Sequence, residues 1–111
     1  MPDIFDQLYD VILERKNNPP EERSYVVKLL EGGVPKIGSK VTEEAAEFVE
    51  AAGEEDDDHT VYEAADLMFH MLVMLGHKEL PLDRVRTELG RRFGISGITE
   101  KESRAAKESA K

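Results

Sequence analysis

The sequence predicts an all-α protein, a bundle of four to five helices whose core a homodimer completes. Two observations predict the helices. Apolar residues recur at helical spacing through nearly the whole chain, and short clusters of Gly, Pro, Asn and Asp separate the runs. A third predicts the dimer: residues 61–75, VYEAADLMFHMLVML, are apolar almost all the way round. Such a helix has no face to give to water, and a chain of 111 residues has few other elements to wrap around it.

Asp3 reads as the N-cap of a first helix carrying Ile4, Phe5, Leu8, Tyr9, Val11 and Ile12, which Asn17, Asn18, Pro19 and Pro20 break. Ser24 caps a short helix with Tyr25, Val26, Leu29 and Leu30, ended by Gly32 and Gly33. Pro35 suits the first turn of the next helix, whose inward positions are Ile37, Val41, Ala45, Phe48, Val49 and Ala52. Gly53 and the acidic run from Glu54 to Asp58 form a loop. The apolar helix follows, starting between Asp58 and Thr60 and reaching about His77. Pro81 precedes a last helix with Leu82, Val85, Leu89 and Phe93, which Gly94 stops. Residues 1–94 thus form one all-α domain, and 95–111 a polar segment expected to fray into disorder at its end.

Composition narrows the function. The chain carries 24 acidic against 15 basic residues, a formal net charge of -9. No basic field is available to displace phosphate counterions, so nucleic acid is not an expected partner. A phosphate-bearing small molecule would need a cation to meet such a protein. There are no cysteines, which excludes disulfides and cysteine-ligated zinc. The acidic N-terminus lacks the regions of a signal peptide, and no stretch reaches the length of a membrane span. A cytoplasmic protein is expected, with no membrane partner.

The chemistry lies on two consecutive helices. At about 100° per residue, Glu63, Asp66, His70 and His77 fall within about 60° of one another on the apolar helix. An ionised carboxylate left unpaired in a core costs several kcal/mol, so a cation is the natural compensation. The preceding helix carries Glu43, Glu44 and Glu47. Glu44 and Glu47 are neighbours on one face, with Glu44 at the margin of the stripe formed by Ile37, Val41 and Phe48, and Lys40 just beyond. Glu43 sits further out, either behind the ligands or simply solvated. If the two helices pack antiparallel, Glu44, Glu47, Glu63 and Asp66 converge. An all-oxygen anionic site suits Mg²⁺, with Mn²⁺ as a substitute, whereas zinc prefers nitrogen or sulfur. His70, four residues after Asp66, reads as a polar partner inside the site. His59 and His77, near the helix ends, read as solvent-facing.

The pattern E-E-x-x-E at Glu43, Glu44 and Glu47, followed by E-x-x-D at Glu63 and Asp66, resembles the all-α nucleoside triphosphate pyrophosphohydrolases. Within that superfamily the chain is similar to the phosphoribosyl-ATP pyrophosphohydrolases. The likeness runs through Ser24-Tyr25 with Lys28-Leu29-Leu30, Lys36-Ile37 with Lys40-Val41, Tyr62 to Leu67 with His70 and Leu72, and Leu82-Asp83 with Val85 and Leu89. It continues into Arg92-Phe93-Gly94 and covers roughly residues 4 to 104. Gly38-Ser39 departs from it, and weakens that helix start by up to about 1 kcal/mol relative to Ala.

The resemblance implies hydrolysis of the α–β phosphate bond of phosphoribosyl-ATP, the second step of histidine biosynthesis. It implies a homodimer; many relatives are fused to a cyclohydrolase domain, and the short chain without cysteines for that domain's zinc is expected to be the stand-alone form. Glu44, Glu47, Glu63 and Asp66 are then the metal ligands, with Glu43 or Glu47 as proton acceptor. Lys28, Lys36, Lys40, His70, Arg91 and Arg92 are candidate substrate contacts, Lys40 foremost because it shares the acidic face. The arginine pair is equally explained as complementing its own helix dipole. Two other readings stand beside this one: a housecleaning hydrolase of other nucleoside triphosphates, and a noncatalytic helical dimerisation module.

Overall fold

The computed structural model describes residues 2–22 and 24–94, and these contain four α-helices and no strand. They are α1 (Ile4–Asn17), α2 (Tyr25–Gly53), α3 (Asp57–His77) and α4 (Leu82–Phe93). Residues 95–111, expected to be a polar tail, lie outside the described residues. The chain divides after Leu80, with α1 to α3 in the first unit and α4 in the second.

Each start follows from local chemistry. Asp3 and Asp6 exchange side-chain hydrogen bonds with each other's backbone N–H, a capping box at α1. The Ser24 hydroxyl accepts from the Val27 N–H at the head of α2. Asp56 accepts from the His59 N–H, so α3 begins at Asp57, slightly earlier than the sequence suggests. Its first turn then carries Asp57 and Asp58 against the positive end of the helix dipole.

The expected break at Gly32-Gly33 is present inside α2. Gly33 has φ 70° and ψ -164°, a conformation open almost only to glycine. The helix resumes through Pro35 and passes Gly38 and Ser39 without interruption. The stretch Tyr25–Gly53 is therefore two helical segments joined by one residue.

Within the first unit, α2 and α3 form the principal contact and run antiparallel. Gly33 faces His77, Gly38 faces Met74, and the Thr60 hydroxyl donates to the Ala51 carbonyl. The fully buried side chains Ile12, Leu29, Ile37 and Val73 come from all three helices. α1 approaches α3 closely at Gly76, and the Tyr9 hydroxyl donates to the Leu80 carbonyl at 2.5 Å. Val49 and Ala52, expected to face inward, are exposed, and Ala51 takes the buried position instead.

The described residues do not enclose α3. Val61, Tyr62, Met68 and Met71 remain exposed on it. Beside them lies an apolar groove of about 390 Å³, bordered by Ile4, Phe5 and Leu8 of α1 and by Met68 and Phe69 of α3.

In the second unit, α4 ends at Gly94 in the left-handed conformation, φ 71°. Arg91 and Arg92 both pair with Glu88, at 2.6 and 2.8 Å, in the last turns of the helix.

Candidate metal centre

The antiparallel packing of α2 on α3 brings the predicted acids together. Oxygens of Glu44, Glu63 and Asp66 come within 4.8 Å of one another, and so do those of Glu43, Glu44 and Glu47. Glu44 belongs to both groups, so the four expected ligands are gathered around it. Glu44 and Glu63 are only 5% and 7% exposed, while Glu47 and Asp66 are half-buried. Glu43 turns outward, as its place on the helix predicts.

The burial leaves an electrostatic demand. Oε1 of Glu44 and Oε1 of Glu63 are buried without a hydrogen-bond partner. Burial, reinforced by Asp66, Glu47 and Glu63 and opposed by Lys40, pushes the Glu44 carboxyl up to about 7. Lys40 answers only part of it, with Nζ 3.2 Å from Glu43 and 3.7 Å from Glu44. Its hydrogen bond to Glu43 holds its own pKa above the usual lysine value. An oxygen-only cluster with orphaned buried oxygens fits a hard divalent cation, and Mg²⁺ fits this donor set.

His59, expected in solvent, is exposed but not idle. Nδ1 lies 3.3 Å from Glu54 and Nε2 3.2 Å from Glu63. The hydrogen bond to Glu54 raises its pKa, desolvation lowers it and the hydrogen bond to Glu63 raises it, and the ring bridges the two carboxylates, meeting Glu63 at its other oxygen. The four-residue spacing on one helix was the available signal. His70 is buried among the site elements. Nδ1 lies 2.8 Å from the Asp66 carbonyl and Nε2 2.8 Å from the Tyr25 hydroxyl. Tyr25 is thus a site neighbour that periodicity alone could not find, since nothing local links it to α3. His77 is the opposite case: it is half-buried near Gly33, and its Nδ1 is buried without a partner, against expectation.

The remaining cations are less involved. Among the described residues Lys40 is the one candidate cation bonded to the acids. Lys28 and Lys36 are exposed, and the Lys36 stem folds over Gly32. Arg91 and Arg92 stand on α4, paired to Glu88.

Comparison with known proteins fits this geometry. The family model described as phosphoribosyl-ATP pyrophosphohydrolase matches residues 5–93. The chain belongs to the phosphoribosyl-ATP pyrophosphohydrolase family. It is 52% identical over 101 residues to a phosphoribosyl-ATP pyrophosphatase of Pelobacter propionicus, covering 91% of this chain and 93% of that protein. It is 50% identical to one of Trichlorobacter lovleyi, with the same coverage, and 48% identical to one of Geobacter sulfurreducens, covering 92% and 94%. As a member of the phosphoribosyl-ATP pyrophosphohydrolase family, the chain has its matched region spanning α1 to α4 and all five clustered acids.

Proposed function

We propose that this chain hydrolyses the α–β phosphate bond of phosphoribosyl-ATP, giving phosphoribosyl-AMP and pyrophosphate, with Mg²⁺ held by Glu44, Glu47, Glu63 and Asp66. The observation that carries the reading is the pair of buried, unpartnered oxygens on Glu44 and Glu63 inside a cluster of carboxylates. A noncatalytic dimerisation module has no use for them. Bound Mg²⁺ supplies positive charge for the polyphosphate and a water of lowered pKa.

The chain's own residues do the rest. Glu44 and Asp66, on facing helices, would hold the cation together with Glu47 and Glu63. His59 keeps Glu63 from turning away. Lys40, already beside Glu43 and Glu44, is the side chain positioned to meet a substrate phosphate. Glu43 is exposed and already engaged by Lys40, whereas Glu47 is half-buried within the cluster, so Glu47 is the better placed acceptor for the proton of the attacking water.

A second copy of the chain covers the exposed side of α3. The reading rests on Val61, Met68 and Met71 and on the adjoining apolar groove, a continuous surface that water does not favour. Among the described residues no helix is long and apolar enough to cross a membrane, in keeping with an enzyme acting on a nucleotide in the cytoplasm.

The test is pyrophosphate release from phosphoribosyl-ATP and from a panel of ordinary and deoxy nucleoside triphosphates, with Mg²⁺, with Mn²⁺ and with EDTA. Release confined to phosphoribosyl-ATP, lost with EDTA and lost in Glu63→Gln and Asp66→Asn, is the expected result. Release from a deoxynucleotide instead keeps the centre and replaces the substrate. A folded protein that turns over nothing and binds no Mg²⁺ sinks the reading.

A further inference from the structure

His70 is 2% exposed, and both its ring nitrogens are engaged inside the protein. The Asp66 carbonyl oxygen beside Nδ1 can only accept, so Nδ1 carries the hydrogen. In the neutral ring Nε2 is then a lone pair, and the Tyr25 hydroxyl must donate to it. The phenol is left with no hydrogen to offer: Oη can only accept from anything else. The ring is held as firmly as its hydroxyl. Phe69 stacks on Tyr25 with centroids 6.2 Å apart, and meets His70 edge-on at 4.9 Å.

Tyr25 itself is 47% exposed. A buried histidine thus aims a phenol that is open to what binds beside it. Its surroundings are those of the acid cluster. Burial raises the pKa of the phenol, Lys40 lowers it, and Glu44, Asp66 and Glu43 raise it. The hydroxyl reaches the cluster through His70, whose Nδ1 lies 2.8 Å from the Asp66 carbonyl.

We propose that Tyr25, oriented by His70, is a positioning residue whose Oη accepts a hydrogen bond from an O–H donor bound at the carboxylate centre. The donor is either a ribose hydroxyl of the nucleotide or a water on the cation. The inference rests on the reading of the acids as a cation-dependent nucleotide site. It adds to that reading a hydrogen-bond polarity, an acceptor where a free tyrosine would offer either role.

Tyr25→Phe tests it, since the ring and its stack on Phe69 remain. Three measurements are made on the whole protein: steady-state kinetics with phosphoribosyl-ATP, calorimetric titration of nucleotide-free protein with Mg²⁺, and ¹⁵N NMR of the His70 ring. The NMR is expected to place the ring hydrogen on Nδ1 in the wild type, and to show the Nε2 resonance moving in Tyr25→Phe. A ribose donor predicts KM raised about tenfold with kcat little changed, the loss of one hydrogen bond. A water donor predicts instead a Mg²⁺ affinity lowered about tenfold without nucleotide. Wild-type KM and wild-type Mg²⁺ affinity together overturn the proposal, as does a ring hydrogen found on Nε2. The NMR and the Mg²⁺ titration need no turnover, so they judge Tyr25 separately from the choice of substrate.

Discussion

Gly76 of α3 lies under Ile12 of α1, and a Cβ at Gly76 would stand 2.7 Å from Ile12 Cγ2. Ile12 is fully buried and cannot retreat. Gly76→Val is expected to destabilise the protein by about 1–3 kcal/mol through overpacking, read as a lowered midpoint of chemical unfolding. Gly53→Ala is the opposite case. A Cβ there meets nothing within 4 Å, so the change should be neutral or stabilising by up to about 1 kcal/mol. Equal effects at the two glycines would contradict the close approach of α1.

Glu44 sets a pH dependence in the metal-free protein. Its carboxyl, raised from 4.5 to about 7, binds a proton more readily in the folded than in the unfolded chain. Its contribution to stability is complete below about pH 4.5 and is lost as pH rises through about 7. Glu44→Gln lacks that loss. In EDTA the variant should gain on the wild type between pH 5 and pH 8, by on the order of 2–3 kcal/mol. Saturating Mg²⁺ should reverse the order by stabilising only the wild type. Thermal melts across that range decide it, and a difference that does not vary with pH would contradict the assignment.

Removing His59 should weaken the centre without unfolding it. His59→Ala leaves Glu63 with neither oxygen held by a neighbour, and the expected result is about a tenfold loss of Mg²⁺ affinity. The melting temperature without metal should change little, because the side chain is exposed. Unaltered Mg²⁺ binding by calorimetry would reduce the bridge to surface charge.

The apolar side of α3 gives an assembly prediction. Met68→Glu together with Met71→Glu places charge on residues 46% and 48% exposed, so the single chain should still fold. Sedimentation should move from dimer to monomer. A wild type that already sediments as a monomer would remove the need for a second copy.

Much of this was legible in the sequence, and the reasons are local. Asp3 and Ser24 announce helix starts because a short acceptor side chain satisfies free N–H groups there. Gly33 announces the break because its backbone angles are open to few other residues. The spacing of Glu44 with Glu47 and of Glu63 with Asp66 is helical geometry, and antiparallel packing followed from the short connection. What the sequence did not yield depends on contacts between distant segments. Val49 was expected inward because a helical wheel assigns one uniform face to α2, whereas Ala51 takes the buried position. His77 was placed in solvent because nothing near it in sequence reveals that the Gly33 bend of α2 comes close to it. Tyr25 meets His70 across 45 residues of sequence, a contact no local pattern reports.

That turn also divides labour along α2. The segment after Gly33 carries the clustered acids Glu43, Glu44 and Glu47 and packs antiparallel against α3. The segment before it carries Tyr25, joins the acids' segment through one residue, and is anchored in the core by Val27 and Leu29. Changes at its exposed positions, Tyr25 and Lys28 among them, can therefore alter which molecule is accepted while the carboxylates stay as they are. Lineages sharing the acids have, in this short arm, an independent place to diverge.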